Sequence, residues 1–273
     1  MLFMADTAAG MQFTVLGPDG SPIDGADGRL TDFYAYPDGL QTCWVRANMI
    51  ASLDGGATAD GKAGGLAGPG DRSVFGLMRY AADVILVGAA TVRVENYSGA
   101  QVPLAQRHAR QHRGQAEVPP IAVVTRSGLL DPEALFFTRT EVAPLILTSA
   151  DSFDDTRLRL GGVSEVLNAS GPRSDSVDGA TALKILAERR LFRVLTEGGP
   201  LLLSQLIGDD LLDELCLTVA PTVVGGSGRR IAAGAGEVHT RMRPAHLLSD
   251  DQGYLYTRYV RVREAAPAAT LGG

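Results

Sequence analysis

The chain has 273 residues, 45% of them hydrophobic and 21% charged, with a formal charge of -6 at pH 7. That balance describes an ordinary globular protein and argues against a nucleic-acid binder, which would carry a basic face. Its two cysteines, Cys43 and Cys216, exclude a disulfide framework and a cysteine-based zinc site, and no apolar run reaches the roughly 18 residues of a membrane helix. Residues 1–10 carry Asp6 and lack the basic start of a signal peptide, so a cytoplasmic protein with neither membrane nor nucleic acid as partner is expected.

Residues 1–43 are rich in Gly, Pro, Asp and Ala without a sustained period, and read as an extension that drapes over the body or is partly disordered. From Trp44, Val45, Ala47, Met49 and Ala51 alternate with Arg46, Asn48, Ile50 and Ser52, the pattern of a sheet strand. It ends in the turn Ser52-Leu53-Asp54-Gly55-Gly56. A glycine-rich loop spans 61–70, and Pro69-Gly70-Asp71 opens a helix whose Val74, Leu77, Met78, Ala81 and Ala82 form one buried face. A strand over 83–87 runs through Gly88-Ala89-Ala90-Thr91 into a short helix ending at Glu95. Strands at 121–124, 144–147 and 163–167 then alternate with helices at 151–160 and 177–190.

A buried strand over 193–196 leads through Glu197-Gly198-Gly199-Pro200 into a helix with Leu202, Leu203 and Leu206 on its apolar face. Proline suits a first helical position, where the missing N–H has no partner to lose. Runs at 213–220, 244–249 and 254–262 have no helix between them and read as antiparallel strands, and 263–273 reads as a flexible tail. The alternation predicts an α/β fold over 44–262, three α/β/α layers around a mixed, mostly parallel central sheet.

The glycines of 198–199 sit where a strand turns into a helix, so a ligand can approach backbone N–H groups and the positive helix end favours phosphate. Glu197 lies at the C-terminal strand edge that open α/β sheets use for ligands; the plainer alternative is a space-saving turn with a solvated carboxylate. No G-x-G-x-x-G is present, and 56–63 resembles a P-loop but lacks its hydroxyl residue. His108 and His112 have the spacing of two metal ligands, yet stand in a basic run, 107–113, that reads as a solvated loop able to touch a phosphate. No metal site and no Ser-His-Asp arrangement are expected. The strand ends at 52–55, 87–91, 125–128 and 197–200 share one sheet edge and would line a cleft for a phosphorylated dinucleotide, with Arg126 beside it.

At these residues the chain resembles the reductase of bacterial riboflavin biosynthesis, the C-terminal half of the bifunctional deaminase-reductase, whose fold is that of dihydrofolate reductase. The resemblance covers roughly 44–262 and rests on Ser52-Leu53-Asp54-Gly55, on the run 83–92, on Glu197-Gly198-Gly199-Pro200 and on Asp213-Glu214-Leu215. It implies NADPH as hydride donor, a pyrimidine or pteridine-type small-molecule substrate and a homodimer built through the sheet edge. Cofactor contacts are implied at Ile50, Ser52, Gly88, Thr91, Glu95, Arg126, Gly199, Pro200, Leu201, Leu202 and Leu203, with Arg79 and Glu197 facing the substrate. The contrasting reading is a non-catalytic nucleotide-binding protein that kept the fold.

Three positions depart from the family pattern. Asn48 stands where a substrate-side lysine is usual, Ala63-Gly64-Gly65 replaces Ser-x-Trp, and Asn96-Tyr97 replaces Asp-Pro. Losing the lysine removes a charge suited to a ribose phosphate. Asp71 adds a carboxylate able to accept two hydrogen bonds from a 2-amino-4-oxo pyrimidine edge such as a pterin's; otherwise it is an acid placed to stabilise a helix start. Asp71, Asn48, Arg79 and Glu197 are therefore the candidate catalytic residues.

Overall fold

The computed structural model describes residues 11–17, 21–25, 28–234 and 236–263. Its N-terminal segment supplies β1 (Gln12–Val15), β2 (Pro22–Asp24) and α1 (Gly28–Phe33). β3 (Trp44–Ser52) and α2 (Pro69–Ala81) follow, then β4 (Val84–Gly88), α3 (Ala89–Val94) and α4 (Leu104–His112). Next come β5 (Ile121–Thr125), α5 (Leu135–Thr138), β6 (Leu145–Thr148), α6 (Ala150–Leu160), β7 (Glu165–Asn168) and α7 (Gly179–Glu188). The chain closes with β8 (Arg193–Thr196), α8 (Pro200–Gly208), β9 (Glu214–Ala220), β10 (Met242–Asp250) and β11 (Leu255–Arg261).

These strands form one 11-stranded sheet in the order β2-β1-β10-β11-β9-β3-β8-β4-β5-β6-β7. From β9 to β7 every neighbouring pair is parallel; from β9 out to β2 every pair is antiparallel. The sheet is thus mixed and mostly parallel, as the alternation predicts. Helices cover both faces. α7 and α8 pack on one through Ala182, Leu183, Leu186, Leu202, Leu203 and Leu206 against Val45, Val84 and Val194. The other face carries α3 and α6, and farther along α1 and α2, through Leu30, Val74 and Met78 against Leu195 and Cys216.

β3 sits between β8 and β9, and its residues are buried on both faces apart from half-buried Trp44 and Met49. The alternation read over 44–52 therefore does not mark an inside and an outside; helices cover both sides, and polar Arg46, Asn48 and Ser52 are buried as well. The N-terminal segment also differs from expectation. Rather than draping over the body, β1 pairs with β10, and Phe13, Ile23, Leu30 and Tyr34 enter a core cluster with Tyr256. Burying these four side chains outweighs a Gly- and Pro-rich composition. The tail expected from 263 onward lies outside the described residues except for Arg263 itself. The basic run 107–113 is not a loop but the end of α4 and the residue after it.

Candidate active site

Parallel pairing places the C-terminal ends of β3, β4, β5 and β8 on one edge of the sheet. Above the β3–β8 end lies a cavity of about 160 Å³, walled by β3 residues Asn48, Met49 and Ile50, by Asp71, Arg72, Phe75 and Arg79 of α2, by Thr91 of α3, and by Glu95, Tyr97 and Glu197. Of the four candidate catalytic residues, all line it. Of the candidate cofactor residues, Ile50, Thr91 and Glu95 do.

Asn48 and Ile50 are brought to the same face as α2 by their register, opposite Cys216 and Thr218 of β9. Asp71 sits in the first turn of α2, which Pro69 opens at a position where its missing N–H is harmless. Its carboxyl is half-buried, and burial pushes it up to about 6, against the opposing influence of a hydrogen bond from Thr218 and the charge of Arg72. A carboxyl in that range can hold or release a proton near neutrality. Gly70 permits this placement: a Cβ there would lie 2.2 Å from the Tyr256 hydroxyl.

Arg79 and Glu197 meet across 118 residues of sequence. The Arg79 Nε and Nη2 donate to Glu197 Oε1 and Oε2 at 2.7 and 2.8 Å, a two-pronged pair. The Tyr97 hydroxyl donates to the same Oε2 at 2.5 Å. Burial and then the Glu197 charge push the Tyr97 phenol well above its usual range, so it acts as a donor. Tyr97 was not among the expected site residues. The signal for it was its standing in place of the usual Asp-Pro, but nothing local ties it to Glu197. Glu95 Oε1 accepts the Ala63 N–H at 2.8 Å, which fastens the glycine-rich loop over the cavity.

Beside the cavity, the glycines at the ends of β4 and β8 come together. Gly88 N donates to Gly198 O at 2.7 Å, and a Cβ on Gly199 would lie 2.6 Å from Thr91 Oγ1. Gly199 is the residue before α8, and the N-terminal N–H groups of that helix face this edge. Such a cradle, backed by glycines with the Thr91 hydroxyl beside them and bordered by a helix start, fits a phosphorylated dinucleotide. Arg126 follows β5 on the same edge and is exposed. Leu202 and Leu203 are buried against the core, whereas Leu201 is 74% exposed.

The Ser52 hydroxyl is engaged within its own turn, donating to Asp54 and accepting the Gly56 N–H at 2.9 Å, and Ser52 does not line the cavity. Asp54 in turn accepts N–H groups of Val224 and Gly225, so this motif moors the loop after β9. The basic run 107–113 lies at the opposite edge. Arg110 caps carbonyls of Tyr80 and Ala82 where α2 ends and β4 begins, and Arg107 pairs with Glu141. His108 and His112 are exposed, and among the described residues no group of three or more potential ligands is placed to hold a metal.

The sequence matches the RibD C-terminal domain family over residues 43–256. A 2,5-diamino-6-ribosylamino-4(3H)-pyrimidinone 5′-phosphate reductase from Archaeoglobus fulgidus is 27% identical over 184 residues, which cover 67% of this chain and 82% of that protein. Riboflavin biosynthesis protein RibD of Chlamydia trachomatis is 30% identical over 200 residues, 72% of this chain and 50% of its own length. The chain thus spans about half of the RibD protein it matches. Among solved structures, a pyrimidine reductase-like protein from Corynebacterium diphtheriae superimposes with a TM-score of 0.74 at 26% identity, over 88% of this chain and 97% of that one. RibD of Acinetobacter baumannii shares the fold, with a TM-score of 0.62 at 21% identity over 82% and 59% of the two chains.

Proposed function

This chain belongs to the RibD C-terminal domain family, and on that premise we propose that it is an NADPH-dependent reductase of a substrate bearing a 2-amino-4-oxo pyrimidine edge. The observation that carries the reading is Asp71, half-buried in the cavity with its carboxyl pushed up to about 6. Such a carboxyl can pair with the amino group and ring nitrogen of that edge. The edge is common to dihydrofolate and to the diaminopyrimidinone in the name of the archaeal relative.

When bound, NADPH would supply a hydride to the carbon of a C=N bond. The chain's own part is to orient the ring and deliver a proton to the nitrogen, so that the C=N bond becomes CH–NH. Asp71 fixes the ring and relays that proton through water. Asn48 lines the floor of the cavity from β3. Glu197, already gripped by Arg79 and Tyr97, stiffens the wall. Gly88, Thr91, Gly199 and the start of α8 would hold the pyrophosphate, and Arg126 a 2′-phosphate. The 107–113 run lies too far along the strands to contribute.

The reading is tested by cofactor oxidation with dihydrofolate and with the ribosylamino-diaminopyrimidinone phosphate, comparing NADPH with NADH. Turnover with at least one substrate and a preference for NADPH are expected. Binding of NADPH without turnover on either would favour the non-catalytic reading. A cytoplasmic homodimer accompanies this proposal, resting on the resemblance to the family. The C-terminal strands themselves leave no open edge, because β1 pairs with β10. Sedimentation at micromolar concentration checks it, and a monomer would count against it.

A further inference from the structure

Residues 96 and 97, where the sequence departs from the family pattern, place a phenol at the cavity wall. α3 ends in a left-handed turn at Asn96, whose φ of 51° asparagine tolerates better than most side chains. The Tyr97 N–H then reaches back to the Val92 carbonyl at 3.1 Å and closes the end of the helix. A proline at 97 would supply neither that N–H nor a hydroxyl. Two adjacent residues of this chain thus aim Tyr97 at its partner, Glu197.

A carboxylate offers about four acceptor directions, two on each oxygen. Arg79 takes one on each oxygen of Glu197, at 2.7 and 2.8 Å, and the Tyr97 hydroxyl takes the second on Oε2 at 2.5 Å. Among the described residues no other side chain donates to this carboxylate, so its remaining acceptor direction lies on Oε1. The rings of Phe75 and Tyr97, centred 4.4 and 5.6 Å from the guanidinium carbon, flank Arg79 and hold the pair in place. The Glu197 side chain is 3% exposed, which leaves little water to compete for that last direction. Without the phenol, Oε2 would regain an open direction, and one donor would meet two competing acceptors.

We infer that Tyr97 is a positioning residue: by occupying Oε2 of Glu197 it leaves Oε1 as the single acceptor that this carboxylate presents to an O–H or N–H donor of the substrate. This rests on the reductase reading above and deepens it. The test measures substrate affinity by calorimetry with NADP+ bound, where no turnover interferes. The ligand is whichever of dihydrofolate and the ribosylamino-diaminopyrimidinone phosphate the wild type reduces. Tyr97→Phe should weaken binding about 10-fold or more, the scale of one hydrogen bond to a charged group. In turnover the loss should lie in KM rather than kcat. Tyr97→Met, a second variant without the hydroxyl, should agree, with melting curves to show that each is folded. Glu197→Gln should weaken binding at least as far, and adding Tyr97→Phe to it should change nothing more, because both act through one group. If Tyr97→Phe binds as wild type does, or if its loss recurs in full in the Glu197→Gln background, the inference is overturned while the reductase reading stands. If wild type reduces neither substrate, the reading fails and the inference with it.

Discussion

Asp71 is the residue in which the proposed chemistry and the stability of this protein would be coupled. Its folded carboxyl titrates near 6 rather than 3.8, chiefly because burial penalises the charge. Below about pH 4 both folded and unfolded chains hold the proton, and Asp71 adds no pH dependence. Between about 4 and 6 only the folded chain holds it, so stability falls as pH rises, and above 6 the full cost remains. Two units at about 1.36 kcal/mol each set an upper bound. Solvent around a half-buried carboxyl trims this to about 1–2 kcal/mol. Asp71→Asn should therefore melt higher than wild type at pH 8, by about 2–8 °C, with the gap closing by pH 4. A difference that does not vary with pH would contradict this account. Asp71 itself was legible in the sequence, because Pro-Gly-Asp at a helix start needs only local reasoning. Tyr97 was not: its hydroxyl finds Glu197 across 100 residues, and only the folded chain brings them together.

At the scale of elements, the parallel half of the sheet was readable because each strand and its helix are adjacent in sequence. The N-terminal strands were not. β1 and β2 are four and three residues long, and β1 finds its partner in β10, from Val15 opposite Leu248 to Phe13 opposite Asp250. A buried charge cluster seals this junction. Arg46 of β3 and Arg258 of β11 both donate to Glu214 of β9, and they also donate to the carbonyls of Phe33, which ends α1, and of Tyr34 and Ala35 after it. Arg46 and Glu214 are fully buried. Burial raises the Glu214 carboxyl, but the two guanidinium groups more than offset it and hold the carboxyl below its usual range. Glu214→Gln leaves buried arginine charge without a counterion, which should cost about 3–5 kcal/mol in urea unfolding. A loss under about 1 kcal/mol would show that the cluster is incidental to docking the N-terminal segment.

For the whole molecule, the ordering of the glycine turns along one sheet edge follows from the alternation of strands and helices alone, and so does the place of the cradle. The contents of the cavity do not follow. Long-range pairing decides that Glu197 is engaged by Arg79, that the basic run 107–113 braces the far edge, and that Asp71 comes to lie beside Thr218. The resulting account has one carboxyl that both seats the ring and supplies its proton, next to a cofactor cradle that does not depend on it. The most direct test compares Asp71→Asn with wild type for dihydrofolate turnover and, separately, for NADPH affinity, at a pH where both are folded. The account predicts a loss of about 100-fold or more in turnover with NADPH affinity unchanged. Full turnover by the variant, with an active wild type beside it, would reduce Asp71 to a helix-start acid and contradict the claim.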